Sequence, residues 1–148
     1  MINFQSYPFL HFPFCGGQIN IDFNPELKGV AIPNFVSGDL NLRISSNPSL
    51  EIINLPELVA FGGHIVIEGN EQLGKIDLSK MVGMLSGASM TIRNSGSLEA
   101  LSFPALDCTY FATFILENNP KLVNVTIPKD CLDGFTSVNN PHLKFIVI

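Results

Sequence analysis

The 148 residues are about one domain's length, enough to bury roughly two thirds of the unfolded surface. Only 14% of the residues are charged against 46% hydrophobic, and the mean hydropathy is +0.31, which excludes a chain disordered by composition. Eight Lys and Arg against 13 Asp and Glu give a net charge of −5, which argues against a nucleic-acid partner, and no apolar run reaches the 18 or so residues of a membrane-spanning helix.

Residues 1–14 carry Phe4, Tyr7, Phe9, Phe12 and Phe14, interrupted by Pro8 and Pro13. The first basic side chain is Lys28, so no positive n-region of a signal peptide is visible. The aromatic, proline-broken composition predicts an extended cap laid over the exposed end of a core.

From residue 15 to 148 the chain repeats. Asn is followed three places later by Leu at Asn24/Leu27, Asn47/Leu50, Asn70/Leu73, Asn119/Leu122 and Asn140/Leu143, with Ser95/Leu98 in the remaining slot, at intervals of 23, 23, 25, 24 and 21 residues. Apolar residues stand five places before this column (Ile19, Leu42, Ile65, Met90, Phe114, Phe135) and three before it (Ile21, Ile44, Ile67, Ile92, Leu116), the alternation of a strand. A second alternating strand follows, six places after it (Val30, Ile53, Ile76, Leu101, Val125, Ile146) and eight after it (Ile32, Leu55, Leu78, Phe103, Ile127, Ile148). Beyond Pro33, Pro56, Pro104 and Pro128 the third side of the repeat reads as irregular.

These periods predict an all-β fold: a right-handed parallel β-solenoid of about six turns, with inward columns fused into one core and strands of successive turns about 4.8 Å apart. The structural ladder Asn24, Asn47, Asn70, Asn119 and Asn140 then lines one corner, each amide reaching the backbone or the same amide one turn away. The chain stops in Phe145-Ile-Val-Ile148, an apolar strand edge that invites pairing with another domain or chain.

The segments GDLNLRISSNPSLEIINLPEL and VAFGGHIVIEGNEQLGKIDLSKM resemble the receptor L-domain type of leucine-rich-repeat-related β-solenoid, with texture similar to regular-repeat surface proteins of fungi and other eukaryotes. A leucine-rich-repeat horseshoe is the alternative, weakened by two residues between Asn and Leu and by the missing helix signal on the return side. The resemblance implies a non-enzymatic module, extracellular or at the cell surface, that binds a protein or cell-surface polymer. The alternatives are a structural wall spacer and a carbohydrate-active β-helix enzyme.

The first strands should expose two rows: Asp22, Ser45, Glu68, Arg93, Glu117, Val138 and Asn20, Arg43, Val66, Thr91, Ile115, Thr136. Opposite charges in neighbouring turns can pair weakly, which reads as a solubilising ladder. The mixture of Arg with apolar side chains also reads as a candidate binding face made of Arg43, Val66, Glu68, Arg93, Ile115 and Glu117. A second row, Ile52, Lys75, Ala100, Asn124 and Phe145, should face outward on the second side.

Cys108 and Cys131 fall in adjacent turns at nearly the same repeat position, which allows a disulfide in an oxidising compartment or two buried thiols otherwise, and leaves Cys15 over. No CxxC pair calls for a metal, no cofactor is implied, and His11, His64 and His142 fall at different repeat positions, so no catalytic triad is expected. The scattered Asp residues form no catalytic constellation either, and the one sequon, Asn124-Val125-Thr126, is within chance for a chain with 14 Asn.

Overall fold

The computed structural model describes residues 9–11, 17–109 and 113–148. In chain order it contains β1 (Phe9–His11), β2 (Gly17–Asp22), β3 (Gly29–Ala31), β4 (Ser37–Ser45), β5 (Ile52–Asn54), β6 (Ala60–Gly62), β7 (His64–Glu68), β8 (Lys75–Asp77), β9 (Gly83–Met84), β10 (Ser89–Arg93), β11 (Ala100–Ser102), β12 (Thr113–Glu117) and β13 (Asn124–Ile127), then a 3-10 helix over Lys129–Gly134, β14 (Phe135–Val138) and β15 (Lys144–Val147). All pairings are parallel. The fold is therefore an all-β solenoid, of about five turns rather than six. No α-helix lies on the return side among the described residues, which removes the basis for the horseshoe alternative.

The first face is one continuous sheet in the order β2, β4, β7, β10, β12, β14. Its register stacks Ile19, Leu42, Ile65, Met90, Phe114 and Phe135 in one inward column. A parallel ladder with constant register keeps every second side chain on the buried face, which is why the alternation in the sequence is so regular. The second face holds two sheets, β1-β3-β5-β8 and β11-β13-β15. The third side is less irregular than expected: Ser37–Asp39 of β4 pairs with β6 and β6 with β9, a short parallel sheet across three turns.

Inside, Leu27, Leu50, Leu73, Leu98 and Leu122 form a fully buried column beside the Asn corner. Each such Leu contributes about 1.5–3 kcal/mol by leaving water. Toward the C-terminal end the core turns aromatic. Phe114 stacks on Phe135 with centroids 4.3 Å apart, and Phe103 and Phe145 approach Phe135 at 5.9 and 5.6 Å.

The last turn departs from the expected register. Val125 pairs with Phe145 and Ile127 with Val147, one residue earlier than the count from Asn140 predicts. The cause lies just after the Leu column: Leu122 is three residues before its inward partner Val125, whereas Leu143 is only two before Phe145. A one-residue slip exchanges the faces of a strand. Phe145 thus packs against the core instead of facing outward, and Ile146 and Ile148, expected inside, are 43% and 61% exposed.

Of the segment expected as a cap, β1 is described and adds a parallel strand beside β3. The remainder of residues 1–14, and Cys15, lie outside the described residues.

Candidate functional site

The outward side of the first sheet brings all six candidate binding residues onto one surface. Arg43 lies beside Val66 in the register, and Ile115 beside Thr91; Glu68 pairs with Arg93 and Arg93 with Glu117. Arg43 reaches both Asp22 (Nε to Oδ1, 3.5 Å) and Glu68 (Nη2 to Oε2, 3.6 Å), and Arg93 Nη2 stands 3.0 Å from the same Glu68 Oε2. The result is an alternating chain, Asp22, Arg43, Glu68, Arg93, across four turns. Glu68 raises the Arg93 pKa above its ordinary value through their hydrogen-bond-length contact and through charge attraction. Neither Glu68 Oε2 nor Arg93 Nε completes a hydrogen bond, so the contact is an ion pair.

Ser45 does not face solvent as its row predicts. It is 2% exposed, with its hydroxyl donating to Asp22 Oδ1 at 2.5 Å. Beside the charged row, Val66, Thr91 and Ile115 are half-buried, and a third row, Gln18, Asn41, His64, Ser89 and Thr113, completes the face. Within that row His64 N–H donates to Asn41 Oδ1 at 3.0 Å, and His64 Nδ1 lies 2.8 Å from Ser89 Oγ. The repeat count did not reveal this His–Ser pair, because the histidine has no counterpart in the other turns. It is exposed, and no carboxylate hydrogen-bonds to His64 among the described residues, so the orienting third member of a nucleophilic triad is not in place.

The Asn ladder occupies the next corner. The residue before each ladder position adopts the left-handed conformation: Phe23, Ser46, Gly69, Asn94, Asn118 and Asn139, with φ between 53° and 64°. That bend turns the following Asn inward. Asn47 Oδ1 accepts from the Asn24 backbone N–H at 2.9 Å, and Asn47 Nδ2 donates to Ile21 O at 2.9 Å. Asn70 repeats both bonds one turn on, to Asn47 N–H at 3.0 Å and Ile44 O at 3.0 Å. Further along, Asn119 takes the Ser95 N–H and Asn140 the Asn119 N–H. Buried amides so satisfied are structural, since the turns they tie would otherwise leave backbone groups unpaired at the corner.

On the third side Cys108 and Cys131 are joined by a disulfide, Cα atoms 5.1 Å apart. Beside it a cleft of about 280 Å3 is lined by Leu106, Asp107, Thr109 and Pro128 among others. Asp107 is held below the usual carboxylate range by hydrogen bonds from the Thr109 hydroxyl and backbone N–H, the geometry of an ordinary Asx turn. No group of three potential metal-ligating side chains occurs among the described residues, and no described helix is long and apolar enough to cross a membrane. Asn124 stands at the start of β13, half-buried between Ala100 and Lys144 in the second-face register. Comparison of the chain with family models, with curated proteins and with solved structures returns no match.

Proposed function

We propose that this solenoid is a non-enzymatic recognition module, similar to a receptor L-domain, that binds a protein or polymer at a cell surface through the outward side of its first sheet. One observation carries the reading: a row of half-buried Val66, Thr91 and Ile115 runs alongside Arg43 and Arg93, both within 3.6 Å of the same Glu68 carboxylate oxygen. Arg and apolar anchors held in place before contact lose less freedom on binding than mobile ones. The disulfide between adjacent turns fits an oxidising, extracellular compartment.

A specific feature favours the second reading, a structural spacer. The Asp22, Arg43, Glu68, Arg93 chain pairs its own charges, which a surface needing only solubility would also do.

The test compares the chain with a Val66→Lys, Ile115→Lys variant for binding to an array of extracellular proteins and polysaccharides, with circular dichroism as the check on folding. Saturable binding by the wild type that the folded variant loses supports the recognition face. Binding retained by the variant removes this face, and saturation with no component of the array supports the spacer.

A further inference from the structure

We propose that the stack consists of two cooperative units, residues 17–88 and 89–148, which meet at a weak internal interface and part there as units. Three separate observations fall at this one level.

On the second face the parallel sheet stops. β3, β5 and β8 form one ladder and β11, β13 and β15 another, with no ladder between Lys75–Asp77 and Ala100–Ser102 although these strands are successive in the stack. At the corner the Asn ladder loses a rung. Ser95 stands where the next Asn belongs, and its Oγ is buried without a hydrogen-bond partner, too short to serve the turn of Asn70. On the first face the ion pair spanning the same level leaves Glu68 Oε2 and Arg93 Nε buried without a completed hydrogen bond. These three are all the buried side-chain atoms without a hydrogen bond among the described residues, and they share one interface.

Among the described residues the backbone bonds that cross the level are the β7-β10 ladder, Ser89 N–H to Gly63 O at 3.0 Å, Gly69 N–H to Arg93 O at 3.1 Å, Thr113 N–H to Ala88 O at 3.4 Å, and Asp107 N–H to Val82 O on the third side. One level earlier, between Asn47 and Asn70, the first-face ladder, the second-face ladder and the Asn rungs are all present. A linear stack has a stability close to the sum of its turns and the interfaces between them, so its opening units are bounded by the poorest interface. The disulfide does not oppose this parting, because Cys108 and Cys131 both belong to the C-terminal unit.

The candidate face divides at the same line, with Arg43, Val66 and Glu68 on one side and Arg93, Ile115 and Glu117 on the other. A ligand engaging both sets would hold the interface closed. That consequence rests on the binding reading above; the two units do not.

Native-state hydrogen exchange on the full, oxidised chain, read by mass spectrometry across a low denaturant series, tests the proposal without any ligand. The expected result is two exchange classes with a step between residues 88 and 89. Ser95→Asn should slow the less protected class about tenfold by restoring the rung. Asn47→Ser, which copies the defect two interfaces nearer the N-terminus, should create a new step between β2 and β4. A single class across both units overturns the proposal, as does protection that declines smoothly from the ends. Should Ser95→Asn fail to fold, the wild-type step and Asn47→Ser still decide it: a folded Asn47→Ser with no new step contradicts the role given to the ladder.

Discussion

From Asn24 to Asn70 the turns keep a constant interval of 23 residues, and the side-chain amides of Asn47 and Asn70 each bond the backbone of the turn before. From Ser95 on, the intervals are 24 and 21, the core fills with Phe103, Phe114, Phe135 and Phe145, and a disulfide joins neighbouring turns. The N-terminal region thus relies on repetition of one polar corner and on mainly aliphatic columns, with Phe35 and Phe61 inside. The C-terminal region, whose register slips and whose last turn is half open to solvent, relies on large aromatic contacts and a covalent link. The polar corner persists at Asn119 and Asn140, so the aromatic contacts and the disulfide add to it where the spacing is less regular.

Chemical reduction should give the largest effect that separates the regions. The disulfide closes a loop of 23 residues, for which the chain-entropy model gives about 3 kcal/mol. Urea unfolding with and without reductant should show this loss in the C-terminal unit, while hydrogen exchange in residues 17–88 stays unchanged.

Next comes the contrast between two corner positions. Asn47→Ala removes the acceptor for the Asn24 N–H and the donor to Ile21 O in a fully buried site, at a cost of about 2–3 kcal/mol. Ser95→Ala, at an equally buried position, should change the urea midpoint hardly at all, because the hydroxyl it removes makes no hydrogen bond.

The smallest change lies at Phe23, a 69% exposed aromatic held at φ 59° where the other turns place Gly, Ser or Asn. A bulky side chain in the left-handed region is strained, and Phe23→Asn should raise stability by about 0.5–1 kcal/mol in thermal unfolding.

Most of the stack was legible because its signals recur: Asn with Leu three places on, and two strands of alternating side chains. What escaped the sequence was set by single residues. The register of β15 could not be found by counting from Asn140, since the shortening falls after Leu143, beyond the anchor used for counting. Ser45 was counted as exposed because alternation ignores the cover supplied by Asp22 and its neighbours. The left-handed corner had a readable signal, Gly69, Asn94, Asn118 and Asn139 in the position before the ladder, which Phe23 and Ser46 obscured. For the candidate face, the sequence supplied the six residues but not their contacts, and Arg43 bridging two carboxylates depends on side-chain reach that periodicity does not encode.

The most direct test of the account is the urea unfolding curve of Ser95→Asn beside that of the wild type, both oxidised and followed by far-ultraviolet circular dichroism, since the chain has no Trp. The account predicts a transition at higher urea that is also steeper and single, the two units having been joined by one more rung. An unchanged or lowered midpoint in a folded variant would contradict it.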